Sequence, residues 1–497
     1  MNVQRKVDDF ILPDQHELDG VAARDSKGRV ALYAGREKIY PKLARGYYRR
    51  LKWVLMLVTL GIYYLVPWIR YDRGPDLPNQ AVMLDMTHGR FFFFGIEIWP
   101  QEFYFVTGLL ILASLSLFLV TSMAGRVWCG YFCPQTVWTD LMVAVERFWQ
   151  GDRSARIRLD KSPWSANKLF KKFMTHVSWI IIAAATGGAF VLYFADAPNL
   201  LPQLFDGTAP TEAYVFIAIL TLTTYGLGGI AREQVCIYMC PWPRIQGAMI
   251  DKDSFLISYR EWRGEPRGPF EKSNSGAAKG DCIDCKACIA VCPTNIDIRN
   301  GPQLECIQCA LCVDACNDIM RRIGRPENLI GYATIAGLNE ERAGTKPSFR
   351  ALRPRTLLYT AMIGVVGAIM LTALLNRSTL DANLLPDRNP MFVKLSDGAI
   401  RNGYTLKVLN KLHEPRTFHI LVEGIPAATV TLGGTKGAAL NQVTVPTDVL
   451  SELRVYIAVP AGELSALTPQ AHDFKLVVQD IANGARTVRE TTFRRPG

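Results

Sequence analysis

Five stretches of this 497-residue chain carry no Lys, Arg, Asp or Glu: Trp53–Ile69, Phe103–Ala124, Val177–Ala195, Ala213–Ala231 and Leu357–Leu375. Each is about as long as the roughly 17–25 helical residues that cross a bilayer. A soluble protein seldom buries helices of that length without a single charge, so the chain is expected to be a five-span membrane protein. The first stretch is the shortest and contains Pro67, but Trp53, Tyr63, Tyr64 and Trp68 suit anchoring at the interface. The mean hydropathy of +0.09 is thus an average over very apolar and very polar segments.

Orientation follows from the loop charges, because Lys- and Arg-rich loops stay in the cytoplasm. The connection Asp196–Glu212 has neither residue. Arg126–Lys172 holds Arg147, Arg153, Arg156, Arg158, Lys161, Lys168, Lys171 and Lys172, and Arg45, Arg49, Arg50 and Lys52 precede the first span. The N-terminus and Arg232–Thr356 are therefore expected in the cytoplasm, and everything after Asn376 outside. The formal charge of +11 reads as a topology signal, and nucleic acid is not an expected partner. With 12 cysteines in 497 residues and no secretory signal within Met1–Gly20, the composition excludes a small secreted disulfide module, and it excludes a disordered chain.

Beyond Asn376 the pattern becomes short β-branched or alternating runs: Tyr404–Val408, Thr417–Val422, Ala428–Leu432, Gln442–Val445, Leu453–Val459, Asp473–Val478 and Thr487–Thr492. They predict an antiparallel, immunoglobulin-like β-sandwich without Cys or Trp. The expected fold is a multidomain membrane protein: an α-helical transmembrane bundle with an internal repeat, an inserted dicluster ferredoxin-like α+β domain and a C-terminal all-β sandwich. The divisions are a tail at 1–50, a four-span domain at 51–250, a ferredoxin domain at 251–345, the fifth helix at 346–376 and the sandwich at 377–497.

All 12 cysteines fall in loops assigned to the cytoplasm, where thiols stay reduced. Cys282, Cys285, Cys288 and Cys292-Pro293, then Cys306, Cys309, Cys312 and Cys316, repeat the spacing C-x2-C-x2-C-x3-C. This is the bacterial arrangement for two [4Fe–4S] clusters, in which the fourth cysteine of each run reaches the other cluster. One cluster would take Cys282, Cys285, Cys288 and Cys316, and its partner Cys306, Cys309, Cys312 and Cys292. The small residues Ala287, Ala290, Ala310 and Ala315 leave room for them. Paired zinc sites usually separate their knuckles by a longer spacer. Asn317 stands where the first run has Pro293.

Cys129-Gly-Tyr-Phe-Cys133-Pro134 and Cys236-Ile-Tyr-Met-Cys240-Pro241 each follow the second span of a hairpin, after Arg126 and Arg232. A parallel internal repeat would bring the two pairs together at one membrane face. If Pro134 and Pro241 begin helices, Cys133 and Cys240 lie at positive helix N-termini that favour thiolate. Four such thiolates suit Cu(I), a further iron–sulfur centre or a dithiol relay, set against plain packing as small hydrophobes. The absence of C-x-x-C-H excludes covalent c-type haem. His176 is a candidate additional ligand or an interfacial packing residue. Met83, Met86 and His88 read as part of an aromatic interfacial segment with Phe91–Trp99, and His413, His419 and His472 as sandwich surface.

Lys38-Ile-Tyr-Pro-Lys42, Arg49-Arg-Leu-Lys-Trp53, Trp128-Cys-Gly-Tyr-Phe-Cys-Pro-Gln-Thr-Val-Trp138, the Cys236–Pro243 pair, the dual-cluster segment and the terminal sandwich together resemble the cytochrome c oxidase accessory protein family CcoG, also called FixG or RdxA. The resemblance covers essentially the whole chain. It implies a multi-pass protein of the bacterial inner membrane that reduces Cu(II) to Cu(I) for assembly of a cbb3-type oxidase, with copper at Cys129, Cys133, Cys236 and Cys240 and electrons stored at the eight ferredoxin cysteines. Implied partners are membrane lipid, the oxidase or a copper chaperone or transporter, a cytoplasmic electron donor and a second copy of the chain. A quinol- or quinone-linked electron-transfer subunit and a non-enzymatic assembly scaffold are the alternative readings.

Overall fold

In this computed structural model the described residues are 38–74, 77–269, 279–377, 380–411, 414–433, 441–446 and 450–496. The chain forms two compact units, Met1–Ala368 and Ile369–Gly497. Most of the tail assigned to 1–50, and His413, lie outside the described residues.

Among the described residues five helices are long and apolar enough to cross a membrane: Tyr47–Trp68, Pro100–Ala124, Ala166–Val191, Thr211–Ala231 and Pro354–Leu375. The first and third begin well before the apolar runs that signalled them, at Tyr47 and Ala166. Their opening turns carry Arg49, Arg50 and Lys52, and Lys168, Lys171 and Lys172. An apolar run marks the part of a helix suited to hydrocarbon, whereas the helix continues into the polar boundary. Ser165 starts the third helix by accepting the Lys168 N–H at 3.3 Å, an ordinary side-chain cap.

The first helix is capped from elsewhere. Its leading residue, Gly46, has no side chain to offer, and the Asp314 carboxylate accepts the backbone N–H groups of Tyr48 at 3.2 Å and Arg49 at 2.7 Å. A Cβ on Gly46 would stand 2.3 Å from Asp314 Cγ, so only glycine permits the approach. Between the first two spans the chain forms a three-stranded antiparallel sheet, β1 (Val82–Asp85), β2 (Arg90–Phe93) and β3 (Ile96–Ile98). The aromatic run expected to lie as a belt is thus partly strand: Phe92 and Trp99 are buried while Phe93 is exposed. Pleating sends successive side chains to opposite faces.

The helices meet at small residues and indole or phenol donors. A Cβ on Gly187 would lie 2.9 Å from the Ile217 carbonyl oxygen, so the third and fourth spans cross closely, as small residues allow in membrane helices. Trp179 donates to the Met142 carbonyl at 2.9 Å, and Thr186 accepts from Trp138 at 2.9 Å. The fourth span finishes in π-helical turns at Tyr225–Ala231 and again at Val235–Met239, leading directly into the second cysteine pair.

In the segment between the fourth and fifth spans, β4 (Leu256–Tyr259) pairs antiparallel with β5 (Ile330–Ala333). The helices Ala287–Val291 and Leu311–Arg322 pack beside them on Ile257, Ile298, Val313, Met320 and Leu329.

The second unit is an antiparallel sandwich. One sheet has the order β10 (Thr429–Leu432), β12 (Leu450–Val459), β8 (Ile400–Asn410), β6 (Leu380–Pro386), with β7 (Val393–Lys394) also on β8. The other runs β11 (Gln442–Val445), β9 (Arg416–Glu423), β13 (Ala471–Asp480), β14 (Arg486–Arg494). Ile400, Tyr404, Leu406 and Val408 alternate into a core shared with Phe418, Ile420, Leu476 and Phe493. Strand β6 went unrecognised in the sequence because Asp381, Asn383 and Pro386 disfavour strands. Pairing with β8, from Leu380 opposite Asn410 to Pro386 opposite Tyr404, overrides that. His419 bonds Asn441 at 2.6 Å, and His472 bonds the Gly424 carbonyl at 2.9 Å.

Replacing Asp314 with Ala leaves two N–H groups of the first span without their acceptor, at an expected cost of about 2 kcal/mol. Denaturant unfolding of the full chain in detergent should show this as a lowered midpoint for the helical unit, with Asp314→Asn retaining part of the loss.

Candidate functional site

The two C-x2-C-x2-C loops have one backbone shape repeated. Residues on either side of the middle cysteine adopt the left-handed conformation: Asp284 and Lys286 at φ 50° and 55°, Gln308 and Ala310 at φ 55° and 56°. None is glycine, so each conformation costs on the order of 1–2 kcal/mol and must be held by its surroundings. Arg299 holds Asp284 at 2.6 Å. Gln308 accepts the Arg126 N–H on its side-chain oxygen at 2.9 Å and the Tyr332 hydroxyl on its carbonyl at 2.7 Å. Each loop then turns into a helix. Ala287–Val291 carries Cys288 and ends at Cys292, while Leu311–Arg322 carries Cys312 and Cys316.

This geometry gathers the eight thiols into two sets. Cys316 lies within electrostatic reach of Cys288, Cys285 and Cys282, and Cys312 within reach of Cys309, Cys306, Cys292 and Cys288. One cavity is lined by Cys288, Cys292, Cys306, Cys309 and Cys312 together with isoleucines. Among the described residues no three His, Cys, Asp or Glu are placed to hold a metal ion. Thiols distributed around a cavity fit a four-iron cube better than one tetrahedral zinc, which needs its ligands on a single point. Burial pushes Cys306 and Cys316 up to about 12 and Cys288 up to about 11. Loading therefore releases protons as the thiolates form. Arg299 places a guanidinium N–H 3.9 Å from Cys282 Sγ, a donor for the thiolate charge.

The four C-x3-C-P thiols also come within electrostatic reach of one another. Cys129 is influenced by Cys133 and Cys240, and Cys236 by Cys133, Cys129 and Cys240. Burial, with the neighbouring thiols adding to it, raises Cys129 to about 11 and Cys236 to about 12. Cys129 donates to Gln246 Oε1 at 3.2 Å, and Cys240 is exposed. The two halves of the repeat differ. Cys133 stands at the N-cap of Pro134–Gln150 with Pro134 first in the helix, as expected. Cys240 does not stand at a helix N-terminus: it is the C-cap of the π-helical turn Val235–Met239, and Pro241 takes the N-cap position of the six-residue helix Trp242–Gly247. Prolines at 241 and 243 remove two N–H donors from that turn, so the helix-dipole argument for Cys240 does not apply. His176 bonds the Tyr225 hydroxyl at 3.0 Å and stands edge-on to Trp179, and His88 bonds Asp85 at 2.7 Å.

The thiol quartet and the ferredoxin loops touch through backbone. A Cβ on Gly130, inside the Cys129–Cys133 loop, would lie 2.7 Å from the Ile307 carbonyl oxygen and 3.1 Å from Cys309 N and Cα. Tyr131 donates to the Cys309 carbonyl at 3.2 Å. Arg126 donates to the carbonyls of Leu304 and of Pro243, the latter at 2.6 Å, and so joins both cysteine pairs to the second ferredoxin loop. The tie made by Arg126, Gln246 and Gln308 was not foreseen. The only sequence signal was the position of Arg126 three residues before Cys129.

A "4Fe-4S dicluster domain" family matches residues 231–335 and a "4Fe-4S binding domain" family residues 106–150, so between them they include both C-x3-C-P pairs. The chain is 49% identical over 510 residues to "Nitrogen fixation protein FixG" of Rhizobium meliloti (strain 1021), covering 97% of each. The chain belongs to the FixG family. "Protein RdxB" of Cereibacter sphaeroides is 51% identical over 94% of this chain and 98% of its own length. Residues 370–496 match the family described as the "IG-like fold at C-terminal of FixG". A crystal structure of a FixG-related protein from Vibrio parahaemolyticus aligns over 24% of this chain and 97% of its own, at 18% identity and a TM-score of 0.20. This FixG-family chain is thus a multi-pass membrane iron–sulfur protein of electron transfer.

Gly130→Ala forces a methyl group into the Cys309 loop and should cost about 1–3 kcal/mol by overpacking. Iron per chain after anaerobic purification is expected to fall, whereas Gly188→Ala, where nothing lies within 4 Å of the added carbon, should keep its iron.

Proposed function

We propose that the chain takes electrons from a cytoplasmic donor and delivers them singly to Cu(II) at Cys129, Cys133, Cys236 and Cys240, yielding Cu(I) for assembly of a cbb3-type oxidase. The two [4Fe–4S] clusters at the ferredoxin cysteines supply the one-electron reductions when bound, and each Cu(II) takes one electron to become Cu(I). The observation that supports this most is the contact of Gly130 with the Cys309 backbone, because it leaves no layer of side chains between the two cysteine sets. The thiols offer soft donors that favour Cu(I) over Cu(II). Arg126, buried between the quartet and the second ferredoxin loop and within electrostatic reach of Cys129 and Cys306, offsets negative charge as thiolates form. Gln246 holds the Cys129 thiol and is itself held, donating to Thr121 at 3.3 Å.

On this reading the protein sits in a bacterial inner membrane with its ferredoxin segment in the cytoplasm and its sandwich in the periplasm. The sandwich is free of cysteine and serves as a docking module for the oxidase or for a copper chaperone or transporter. A second reading places a third [4Fe–4S] cluster at the quartet. It is favoured by the 4Fe-4S family match over residues 106–150.

Purified anaerobically, Cys129→Ser/Cys240→Ser is expected to lose cupric reduction while keeping the ferredoxin iron. An unchanged reduction rate removes the quartet from the electron path. Iron counting separates the readings: about eight irons per chain in both proteins favours copper at the quartet, and about twelve falling to eight favours a third cluster.

A further inference from the structure

A cavity of about 50 Å³ lies at the start of the first span, bordered by that helix, the helix Pro134–Gln150 and the ferredoxin loops. At roughly 10–15 Å³ per water on this measure, it has room for several waters or one tetrahedral oxyanion. Its charged lining is unbalanced, with Arg49, Lys52, Arg147 and Arg232 set against Asp140 and Glu233. Arg232 is committed to Glu146 at 2.9 Å. A single carboxylate, Asp140, serves both Arg49 at 2.9 Å and Lys52 at 3.8 Å. Arg147 donates to the Pro41 carbonyl at 3.1 Å and reaches Asp152 only at 3.8 Å.

The guanidinium groups are not satisfied by these contacts. Arg49 is 4% exposed. One face of it lies over the Trp53 ring at 4.5 Å, and its Nε and Nη2 have no hydrogen-bond partner. Arg147 is left in the same state at Nε and Nη1. Waters would satisfy the N–H groups and leave a surplus of one positive charge on the lining, Arg49, Lys52 and Arg147 standing against Asp140 and Glu233. An anion answers both needs, and planar guanidinium forks suit the oxygens of phosphate better than a spherical ion.

The geometry points to a phosphate-group site between Arg49, Lys52 and Arg147, filled by an anionic phospholipid headgroup or by inorganic phosphate. Its place at the end of a span is where basic pockets between membrane helices take lipid headgroups. The burial of Arg49 and the small volume suit a free ion equally, so the phosphate group is the chemistry shared by the two sources. Cys236 also borders the cavity, so the site adjoins the thiol quartet, but phosphate binding there does not depend on copper being the electron acceptor.

The test uses the full chain, purified in phosphate-free buffer and reconstituted in phosphatidylcholine nanodiscs. Thermal midpoints are read while inorganic phosphate is titrated against chloride at equal ionic strength, and again in nanodiscs containing phosphatidylglycerol. A ligand that binds only the folded form raises the midpoint, by a few degrees at a hundredfold excess over Kd. We expect that rise with phosphate, with phosphatidylglycerol or with both, and the pattern names the source. Arg147→Gln should abolish it, Arg147→Lys should weaken it, and Arg50→Gln, at an exposed position on the same helix, should leave it intact. If Arg147→Gln does not fold, the comparison of Arg147→Lys with the original protein carries the result. A midpoint indifferent to both ligands overturns the proposal and leaves water in the cavity, and so does a rise that is equal in Arg147→Gln.

Discussion

Two stretches of main chain, one at Gly130 and one at Cys309, approach until no side chain fits between them, and the first unit is arranged to keep that contact. The loop of the first C-x3-C-P pair can reach the ferredoxin loop only because residue 130 lacks a Cβ. Tyr131 and Arg126 then fasten the two by donating to the Cys309 and Leu304 carbonyls, and the Gln308 side chain accepts the Arg126 N–H. Such bonds depend on chain path more than on side-chain identity. Gly125, at φ 59° and with Gln308 and the Phe255 carbonyl where a Cβ would stand, lets the chain turn from the second span into this contact.

Around that contact the protein buries an unusual amount of charge. Glu146 meets Arg156 at 3.0 Å and Arg232 at 2.9 Å with almost no exposure, and its carboxyl is held below the usual range by those cations in spite of burial. Buried pairs of this sort gain little net stability, because desolvation cancels much of the attraction, yet removing one partner is costly. Their effect here is geometric. Arg232 ties the end of the fourth span to the helix that follows the first cysteine pair, and its side chain also donates to Gly229 at 2.7 Å and lies over Trp179. The π-helical turns beside it keep their own backbone bonds, as from the Arg232 N–H to the Leu227 carbonyl at 2.8 Å, and this side-chain network packs against them.

Much of this was legible in the sequence, for identifiable reasons. The spans announced themselves by the absence of charge, and the sandwich by alternation in strands such as β8 and β13. The grouping of cysteines followed from their spacing. What remained hidden was tertiary. The strands β1–β3 were masked by an aromatic run that could equally have been a membrane belt, and β6 by residues that only pairing makes extended. The capping of the first helix by Asp314 and the role of Gln308 join residues far apart in sequence, so no local pattern carries them. The second pair was read as a copy of the first, and Pro241 and Pro243 broke that symmetry at Cys240.

The acceptor that completes the first span lies 265 residues further along the chain, on the helix that carries Cys312 and Cys316. At synthesis rates of about 5–20 residues per second this is an interval of tens of seconds at the slower rates. During it the leading end of the first helix has no Asp314 to accept its N–H groups. The start of the first span is therefore completed only when the cysteine-bearing helix folds, so these two distant parts of the chain are finished together. A chain that stops before residue 314 lacks this acceptor, and its first span begins at Gly46 with no side-chain cap.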